Sequence, residues 1–267
     1  MTDGTDKTSR TKIVIMKLLV LTQTVDKNDS DLGFFHRWIE LLAEHVEKVL
    51  VVCLKEGRHE LSANVTVLSL GKEKGESGWQ YTRRFYSIIW SRRKEYDGVF
   101  VHMNPEYVIL AGLLWRMWGK KVLFWYTHKA VNWRLRLAEK FATKIFTASK
   151  ESFRLESGKV EVTGHGIDVE RVDLIGRMGR IGRMGRMRLL CVGRISPVKD
   201  LETVIKAVAE LQRRGLSAEL DIIGDTKTAQ DEEYKKTLTE FISNAGLAAV
   251  VRVSNGVPYD KMREVYG

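Results

Sequence analysis

Two cations lie within one short segment of the chain, Arg194 and Lys199. The segment 193–200 stands between an apolar run, 189–192, and an amphipathic stretch that begins at Leu201. This order predicts a strand, a tight turn and the start of a helix. An anion at the turn would meet both cations and the free N–H groups of the helix's first turn, whose dipole also favours negative charge. We therefore expect a phosphate or diphosphate ligand, against the alternative that both are ordinary surface cations.

The helix after this turn is indicated by its apolar spacing. Apolar side chains recur three and four positions apart, and Gly215 follows as a stop. These side chains are Leu201, Val204, Ile205, Val208 and Leu211. Asp200 or Ser196 is expected to cap the helix, and Pro197 suits a position before or at its first turn.

Composition limits the class of protein. The chain has 267 residues, with 44 Lys and Arg against 34 Asp and Glu, a net charge of +10. The length suits roughly two domains, and the charge favours phosphate-bearing ligands, anionic lipid or nucleic acid. Cys53 and Cys191 lie in apolar runs, which indicates buried thiols in a reducing cytosol. The one candidate for a signal peptide, 13–21, is interrupted by Lys17, and the apolar run 107–114 is too short to span a bilayer, so we expect a cytoplasmic location, or a peripheral one at the inner face of the membrane.

Predicted strands and helices alternate along the sequence. The strands are apolar throughout, which is typical of an α/β protein whose parallel sheets are covered on both faces. The predicted strands are 17–22, 49–54, 65–70, 98–103, 121–126, 144–148, 160–163, 188–193, 219–223 and 250–254. The predicted helices are a segment with Phe35, Trp38, Ile39, Leu42, Val46 and Val49 on one face, then 79–96, 106–118, 133–142, 200–214, 232–245 and one beginning near Tyr259.

Residues 176–187 interrupt this alternation with four tandem triplets, three Gly-Arg-Met and one Gly-Arg-Ile. We interpret residues 171–187 as a linker, because a triplet expansion is tolerated in a solvated connection. The linker would join an N-terminal domain, 16–170, to a C-terminal one, 188–267, with residues 1–15 a polar extension. The alternative is that the arginines of the triplets contact RNA or anionic lipid; nucleic acid is the less favoured partner. These arginines are Arg177, Arg180, Arg183 and Arg186.

The C-terminal half resembles the retaining glycosyltransferases of family 4, which have the two-domain GT-B fold. The resemblance lies in Val192-Gly193-Arg194 through Lys199-Asp200-Leu201, in Ile222-Ile223-Gly224-Asp225 and in Gly256-Val257-Pro258. In the N-terminal half, segments 145–152 and 163–168 look like that family's closing strand and the glycine loop before the linker. The resemblance covers residues 16–267 and is strongest from 142 onward. It implies two Rossmann-type, doubly wound parallel-sheet domains.

The resemblance also implies a function. Such an enzyme transfers a hexose from a UDP- or GDP-linked donor to a glycan or lipid-linked acceptor with retention, for example in cell envelope polysaccharide biosynthesis. Arg194 and Lys199 would hold the diphosphate and stabilise its charge as the glycosidic bond breaks, and His128 would lie near the donor sugar. These three are the candidate catalytic residues. The candidate donor-binding residues are Gly33, Gly164, Gly166, Gly193, Gly224, Asp225 and Val257. No cofactor or metal is expected, because the sequence has no cluster of His, Cys or carboxylates with metal-ligand spacing.

The sequence departs from the family in two places. In the loop after the first strand only Gly33 is present, followed by Phe34, where family members often carry adjacent glycines. Beyond Gly267 the family continues into a helix with two glutamates that contact the donor, so the second domain is expected to be incomplete and the sequence to be C-terminally truncated. The alternative function is therefore a non-catalytic nucleotide- or partner-binding remnant. Peripheral contact with anionic membrane near Trp115, Trp118 and Lys120 is a further expectation. The opposing interpretation is that both tryptophans face a core.

Overall fold

The protein forms two compact units, Met1–Ile167 and Asp168–Gly267. The structure is a computed structural model that describes residues 14–29, 31–166, 187–258 and 261–266. Most of the predicted extension and of the predicted Gly-Arg linker falls outside these residues. The first strand already begins at Val14 and the first strand of the second unit at Met187, so both predicted segments end slightly earlier than expected.

The first unit is a parallel sheet of seven strands with four α-helices. Its elements are β1 (Val14–Val25), α1 (Gly33–His45), β2 (Val46–Glu56), β3 (Val65–Ser69), α2 (Gly78–Ser91), β4 (Gly98–His102), α3 (Pro105–Met117), β5 (Lys121–Trp125), α4 (Trp133–Phe141), β6 (Lys144–Thr147) and β7 (Val160–Val162). The strand order is β3-β2-β1-β4-β5-β6-β7. The order reverses beside β1, since β2 lies on one side of it and β4 on the other. Ligands of open parallel sheets bind at the carboxyl ends of the strands next to such a reversal.

Strand β1 is buried on both faces. Leu19 and Leu21 belong to the cluster that packs α2, α3 and α4 onto the sheet, while Leu18 and Val20 belong to the cluster under α1. Burying each such side chain stabilises the fold by about 1.5–3 kcal/mol. The continuous apolar run of this strand is therefore explained by two cores that share it.

In the residues described, the second unit is a smaller parallel sheet of three strands with three α-helices. Its elements are β8 (Met187–Val192), α5 (Leu201–Arg213), β9 (Ala218–Ile223), α6 (Ala229–Asn244), β10 (Val251–Ser254) and α7 (Met262–Tyr266). The strand order is β10-β9-β8, and all the pairings are parallel. Leu220 and Ile222 of β9 pack in one core with α5 and α6.

The opposite face of this second sheet carries charged side chains, as the alternation along β9 requires. Asp221 forms ion pairs with Arg252 at 3.1 Å and with Arg188 at 3.5 Å. Arg252 also reaches Glu219 at 3.5 Å. The four side chains form a row of ion pairs across the three strands.

The prediction for the first helix was wrong at its C-terminal end, where it included Val46 and Val49. Val46 and Val49 belong to β2, because α1 ends at His45 and the chain passes directly into the strand. Val46 pairs with Val14 and Val49 with Leu18 in the ladder to β1. A run of β-branched residues beside an apolar partner strand outweighs the helical spacing of these two valines.

The predicted helix 79–96 was too long, since α2 ends at Ser91. The chain turns after it so that the side chain of Tyr96 enters the core, where its hydroxyl donates to the Ile89 carbonyl at 3.1 Å. The Trp115 indole donates in turn to the Tyr96 oxygen at 3.2 Å. Trp115 is fully buried, so the expected membrane contact through this residue was wrong. The Trp115 ring packs in the core of the first unit, where it cannot reach a membrane surface.

Both cysteines are free thiols. Cys53 is buried, and burial raises the pKa of its thiol to about 12. Cys191 is only half-buried, so the expectation of a buried thiol holds for Cys53 and not for Cys191. Among the helices described, none is long and apolar enough to cross a bilayer.

The loops at the carboxyl edge of the second sheet approach one another closely at Gly224. A Cβ atom built on Gly224 would lie 1.8 Å from the carbonyl oxygen of Gly193. No real Cβ tolerates that distance to a backbone atom, which has no flexible end that could move aside. Glycine at 224 is therefore required for the two loops to meet.

We expect Gly224→Ala to destabilise the protein by about 1–3 kcal/mol, because the added methyl group must push the Gly193 loop away. Chemical denaturation followed by circular dichroism measures this change. Gly158→Ala is the control, since a Cβ at Gly158 meets nothing within 4 Å. A Gly224→Ala variant as stable as the wild type would contradict the close approach.

Candidate functional site

The carboxyl edge of the second sheet brings several predicted site residues together. The Gly193 N–H donates to the Ile223 carbonyl at 3.0 Å, and the Ile195 N–H donates to the Asp225 carbonyl at 3.0 Å. The Asp225 carboxylate accepts from the Gly256 N–H at 2.8 Å. The three loops after β8, β9 and β10 are thus joined in order. Gly193, Gly224, Asp225 and Val257 all lie in these loops.

The turn next to the two cations is held by a hydrogen bond between Ser196 and Asp231 of α6. Pro197–Lys199 forms a single 3-10 turn, and Ser196 before it is buried. Burial raises the pKa of the Asp231 carboxyl, but hydrogen bonds from Ser196 and from Lys227 and Thr228, which directly precede α6, outweigh it and leave the pKa lower than usual. The anionic Asp231 therefore fixes the turn against the start of α6.

The start of α5 differs from the predicted cap. Neither Asp200 nor Ser196 makes a side-chain capping hydrogen bond. Asp200 has a left-handed backbone (φ 48°), and the Leu201 N–H donates instead to the Tyr234 hydroxyl at 3.0 Å. The Thr203 N–H donates to the Asp200 carbonyl at 3.2 Å. These two N–H groups are therefore not free for an anion, and the prediction of an open helix terminus was wrong for them.

Arg194 and Lys199 both project from this turn into solvent. Within the part of the chain that the structure describes, neither side chain forms an ion pair. Their charges are therefore available to an external anion. The two cations lie where the chain passes from β8 to α5, next to backbone that is hydrogen-bonded to the loop after β9, and their role in binding an anion stays a prediction.

The predicted residues of the first unit lie at the carboxyl edge of its own sheet. His128 follows β5 and is exposed, and its Nδ1 accepts from the Ala130 N–H at 3.1 Å. When the ring is neutral, its proton is therefore on Nε2, which is left as a donor. Gly33 is buried at the first position of α1, where its N–H donates to the Asp29 carbonyl at 3.0 Å.

Gly164 and Gly166 line an apolar pocket of about 520 Å³ in the first unit. The pocket lies between α1 and the sheet, and most of its walls are aromatic or aliphatic. Its lining is Trp38, Leu41, Leu42, His45, Phe100, Trp125, Phe146, Thr163, Gly164 and Gly166. Of the glycines predicted to bind the donor, Gly33, Gly164 and Gly166 lie in the first unit, and Gly193 and Gly224 lie in the second.

A buried histidine that sequence reasoning missed lies where the strand order reverses. His102 ends β4, its ring stacks on Phe35 at 4.0 Å between centroids, and its Nδ1 lies 3.3 Å from the Thr22 hydroxyl on β1. Burial, with a smaller contribution from nearby His165, lowers the pKa of His102 to about 3. The imidazole is therefore neutral at physiological pH.

A second polar pair bridges the same two strand ends. The Gln23 amide donates to the Asn104 side-chain oxygen at 3.2 Å. The sequence contained a signal for both pairs: these polar residues lie at or directly after the ends of apolar strands, and ligands of α/β sheets bind at strand ends. In the four described ranges, no group of three or more His, Cys, Asp or Glu side chains could hold a metal ion.

We expect the stability of the protein to fall on acidification because of His102. Its folded-state pKa of about 3 lies below the unfolded value of 6.5, so its contribution is complete above pH 6.5 and is lost as pH falls toward 3. Between pH 6.5 and 5 the loss is roughly 2 kcal/mol. His102→Gln should have a shallower pH dependence by that amount in denaturation at each pH. An unchanged slope in the variant would contradict the buried, neutral imidazole.

Comparison with known proteins bears on the second unit and on the fold. Residues 182–267 match the model of the family described as glycosyl transferases group 1. No curated protein matches this sequence. The fold is similar to that of HepE from Anabaena, solved with UDP and glucose, at 16% identity and a TM-score of 0.65, over 92% of this chain and 71% of that one.

Two further solved structures share this fold. WaaG, a glycosyltransferase involved in lipopolysaccharide biosynthesis, aligns at 13% identity and a TM-score of 0.59, over 93% of this chain and 72% of that one. The UDP-GlcNAc 2-epimerase from Methanocaldococcus jannaschii aligns at 12% identity and a TM-score of 0.53, over 94% and 76%. The predicted fold class is confirmed: the protein has the two parallel-sheet, Rossmann-like architecture of GT-B proteins.

Proposed function

We propose that this protein is a glycosyltransferase that moves a hexose from a nucleoside-diphosphate sugar to a glycan or lipid-linked acceptor, with retention at the anomeric carbon. The match of residues 182–267 to glycosyl transferases group 1 supports sugar transfer. HepE, with its bound UDP and glucose, makes a UDP-linked donor the first one to test, before a GDP-linked one. The resemblance of the 193–201 and 222–225 segments to family 4 is the support for retention.

The observation that carries the proposal is the pair of exposed, unpaired cations on the turn after β8. Both side chains are exposed and neither forms an ion pair within the described residues, so the turn presents positive charge that attracts an anionic ligand. Arg194 offers a planar donor array suited to phosphate oxygens, and Lys199 a compact charge. The backbone of the turn is fixed by Asp225 and Asp231, so binding an anion there costs little ordering of the turn.

The chemistry follows from these charges. When the bond between the sugar carbon and the diphosphate oxygen breaks, negative charge grows on the diphosphate. Cations already in place stabilise that charge more in the transition state than in the ground state, which accelerates the step. Arg194 and Lys199 would perform this role without a metal ion or other cofactor. Nε2 of His128 would donate a hydrogen bond to a sugar hydroxyl.

The fold by itself does not separate transfer from epimerisation, since a UDP-GlcNAc 2-epimerase shares it. The match to glycosyl transferases group 1 favours transfer. We propose further that the protein works in the cytoplasm on cell envelope polysaccharide.

We expect Lys199→Ala and Arg194→Ala each to weaken UDP binding by about ten- to 150-fold while leaving the protein folded, because each removes one charged contact worth roughly 1.5–3 kcal/mol. Isothermal titration calorimetry with UDP, and then GDP, measures this. Lys206→Ala is the control, since it removes an exposed cation of α5 that already pairs with Glu202. Unchanged nucleotide affinity in both site variants would contradict the diphosphate assignment.

We expect His128→Ala to lower the rate of sugar transfer by roughly tenfold or more while changing UDP affinity less than about twofold, because its contact is to the sugar. The assay follows transfer from radiolabelled UDP-glucose to a lipid or glycan acceptor fraction, with UDP-GlcNAc epimerisation measured beside it. Epimerised product without transfer would overturn the proposal. UDP binding with neither reaction would favour the non-catalytic, nucleotide-binding alternative.

A further inference from the structure

The outward faces of α2 and α3 carry large apolar side chains in solvent. Trp90 is 55% exposed, Leu113 58% and Met117 73%. The complete set on these two helices is Trp79, Tyr86, Trp90, Leu110, Leu113 and Met117. Within each helix these residues lie three, four or seven positions apart, so they form one stripe along it. We name the two stripes together the α2–α3 surface.

The core does not need these side chains. Helix α2 already buries Phe85 and Ile89, and α3 buries Val108, Ala111 and Trp115. Each helix therefore has two apolar faces, of which only one packs against the sheet. An ordinary surface helix presents charged or polar residues on its second face.

The two stripes form one continuous surface. The Tyr86 hydroxyl on α2 donates to the Leu110 carbonyl on α3 at 2.8 Å. Near the carboxyl ends of the helices, the Trp90 ring meets the Trp118 ring edge-on at 5.5 Å between centroids. Contiguous apolar surface of this kind marks a site of interaction with a protein or a membrane.

The charge around the α2–α3 surface is positive. Helix α2 contains no Asp or Glu, and Arg83, Arg93 and Lys94 lie on it or just after it. The Arg93 guanidinium lies over the Trp90 ring at 5.3 Å. Among the described residues, Arg83 and Lys94 form no ion pair. The nearby Glu95 is already paired with Lys48 and Arg92.

We propose that the α2–α3 surface docks the protein onto an anionic lipid bilayer. Tryptophan and tyrosine favour the boundary between headgroups and acyl chains, leucine and methionine enter the apolar layer, and the surrounding cations meet anionic headgroups. The contacts between Tyr86 and Leu110 and between Trp90 and Trp118 hold the two helices next to one another, so both stripes can meet one bilayer. The aliphatic part of the surface, Leu110, Leu113 and Met117, has no counterpart in recognition of RNA bases, which uses stacking aromatic groups. This docking goes beyond sugar transfer and does not depend on it.

The test is co-sedimentation of the 267-residue chain with vesicles. We expect it to bind vesicles of one part phosphatidylglycerol to two parts phosphatidylcholine and to remain in the supernatant with phosphatidylcholine alone. The triple variant Trp90→Ser, Leu113→Ser, Met117→Ser should bind at least about tenfold more weakly, because three interfacial side chains are removed. Arg83→Glu with Lys94→Glu should weaken binding by about fivefold or more per residue.

Matched controls lie in the second unit. Leu216→Ser removes an exposed leucine there, and Lys206→Glu with Lys236→Glu reverses two exposed lysines. Binding that falls equally in these controls, or that is unchanged in the triple variant, would overturn the proposal. A dimer in sedimentation velocity that the triple variant dissociates, with no vesicle binding by the wild type, would also overturn it and assign the surface to a second copy. UDP affinity measured on the same variants keeps this result separate from the proposed transfer activity.

Discussion

The first unit depends on the burial of β1 on both of its faces. Alternate side chains of this strand belong to two different cores. The sheet extends from β1 to both sides, through β2 and β3 on one side and through β4 to β7 on the other. A polar or small residue within Leu18–Leu21 would therefore weaken the packing of α1 on one side or of α2 to α4 on the other. The same position in the sheet places the Thr22 hydroxyl beside the His102 ring. Packing and the candidate site are thus set by one strand.

In the second unit, contacts of the backbone position the loops of the candidate site. Its three loops meet at the carboxyl edge because Gly224 lets the Gly193 carbonyl approach and because Asp225 accepts from the Gly256 N–H. The side chains that bear the proposed chemistry, Arg194 and Lys199, take no part in this framework. Rigid backbone beneath solvent-exposed cations is a suitable arrangement for a ligand whose charge changes during reaction, because the charges are in place before the bond breaks.

Much of the fold could be predicted from the sequence, because apolar runs separated by amphipathic segments leave few alternatives to a parallel sheet. The strand and helix order of both units follows that pattern. The end of α1 could not be predicted, since Val46 satisfies the helical spacing and is placed in β2 only by its pairing with Val14. The cap of α5 could not be predicted either. The Tyr234 hydroxyl that receives the Leu201 N–H is 33 residues away along the sequence, and only the packing of α6 on α5 brings it there.

The candidate site was predictable in part for the same reason. Arg194 and Lys199 lie within one short segment, so the sequence alone places them on the same turn. In the structure both side chains are exposed, and neither forms an ion pair among the described residues. The pairs Thr22 with His102 and Gln23 with Asn104 join residues 80 and 81 positions apart. Their meeting depends on β4 lying next to β1, which spacing within either segment does not reveal.

The row of ion pairs on the open face of the second sheet has a consequence for how this sequence can diverge. Asp221 lies between Arg188 and Arg252, and Arg252 also reaches Glu219. Replacing Asp221 alone by an apolar residue would remove the carboxylate that Arg188 meets and leave Arg252 with Glu219, whereas replacing the charges together would give an apolar sheet face able to pack against another layer. Positions 188, 219, 221 and 252 are therefore expected to covary among related sequences, changing as a set between a charged face and an apolar one.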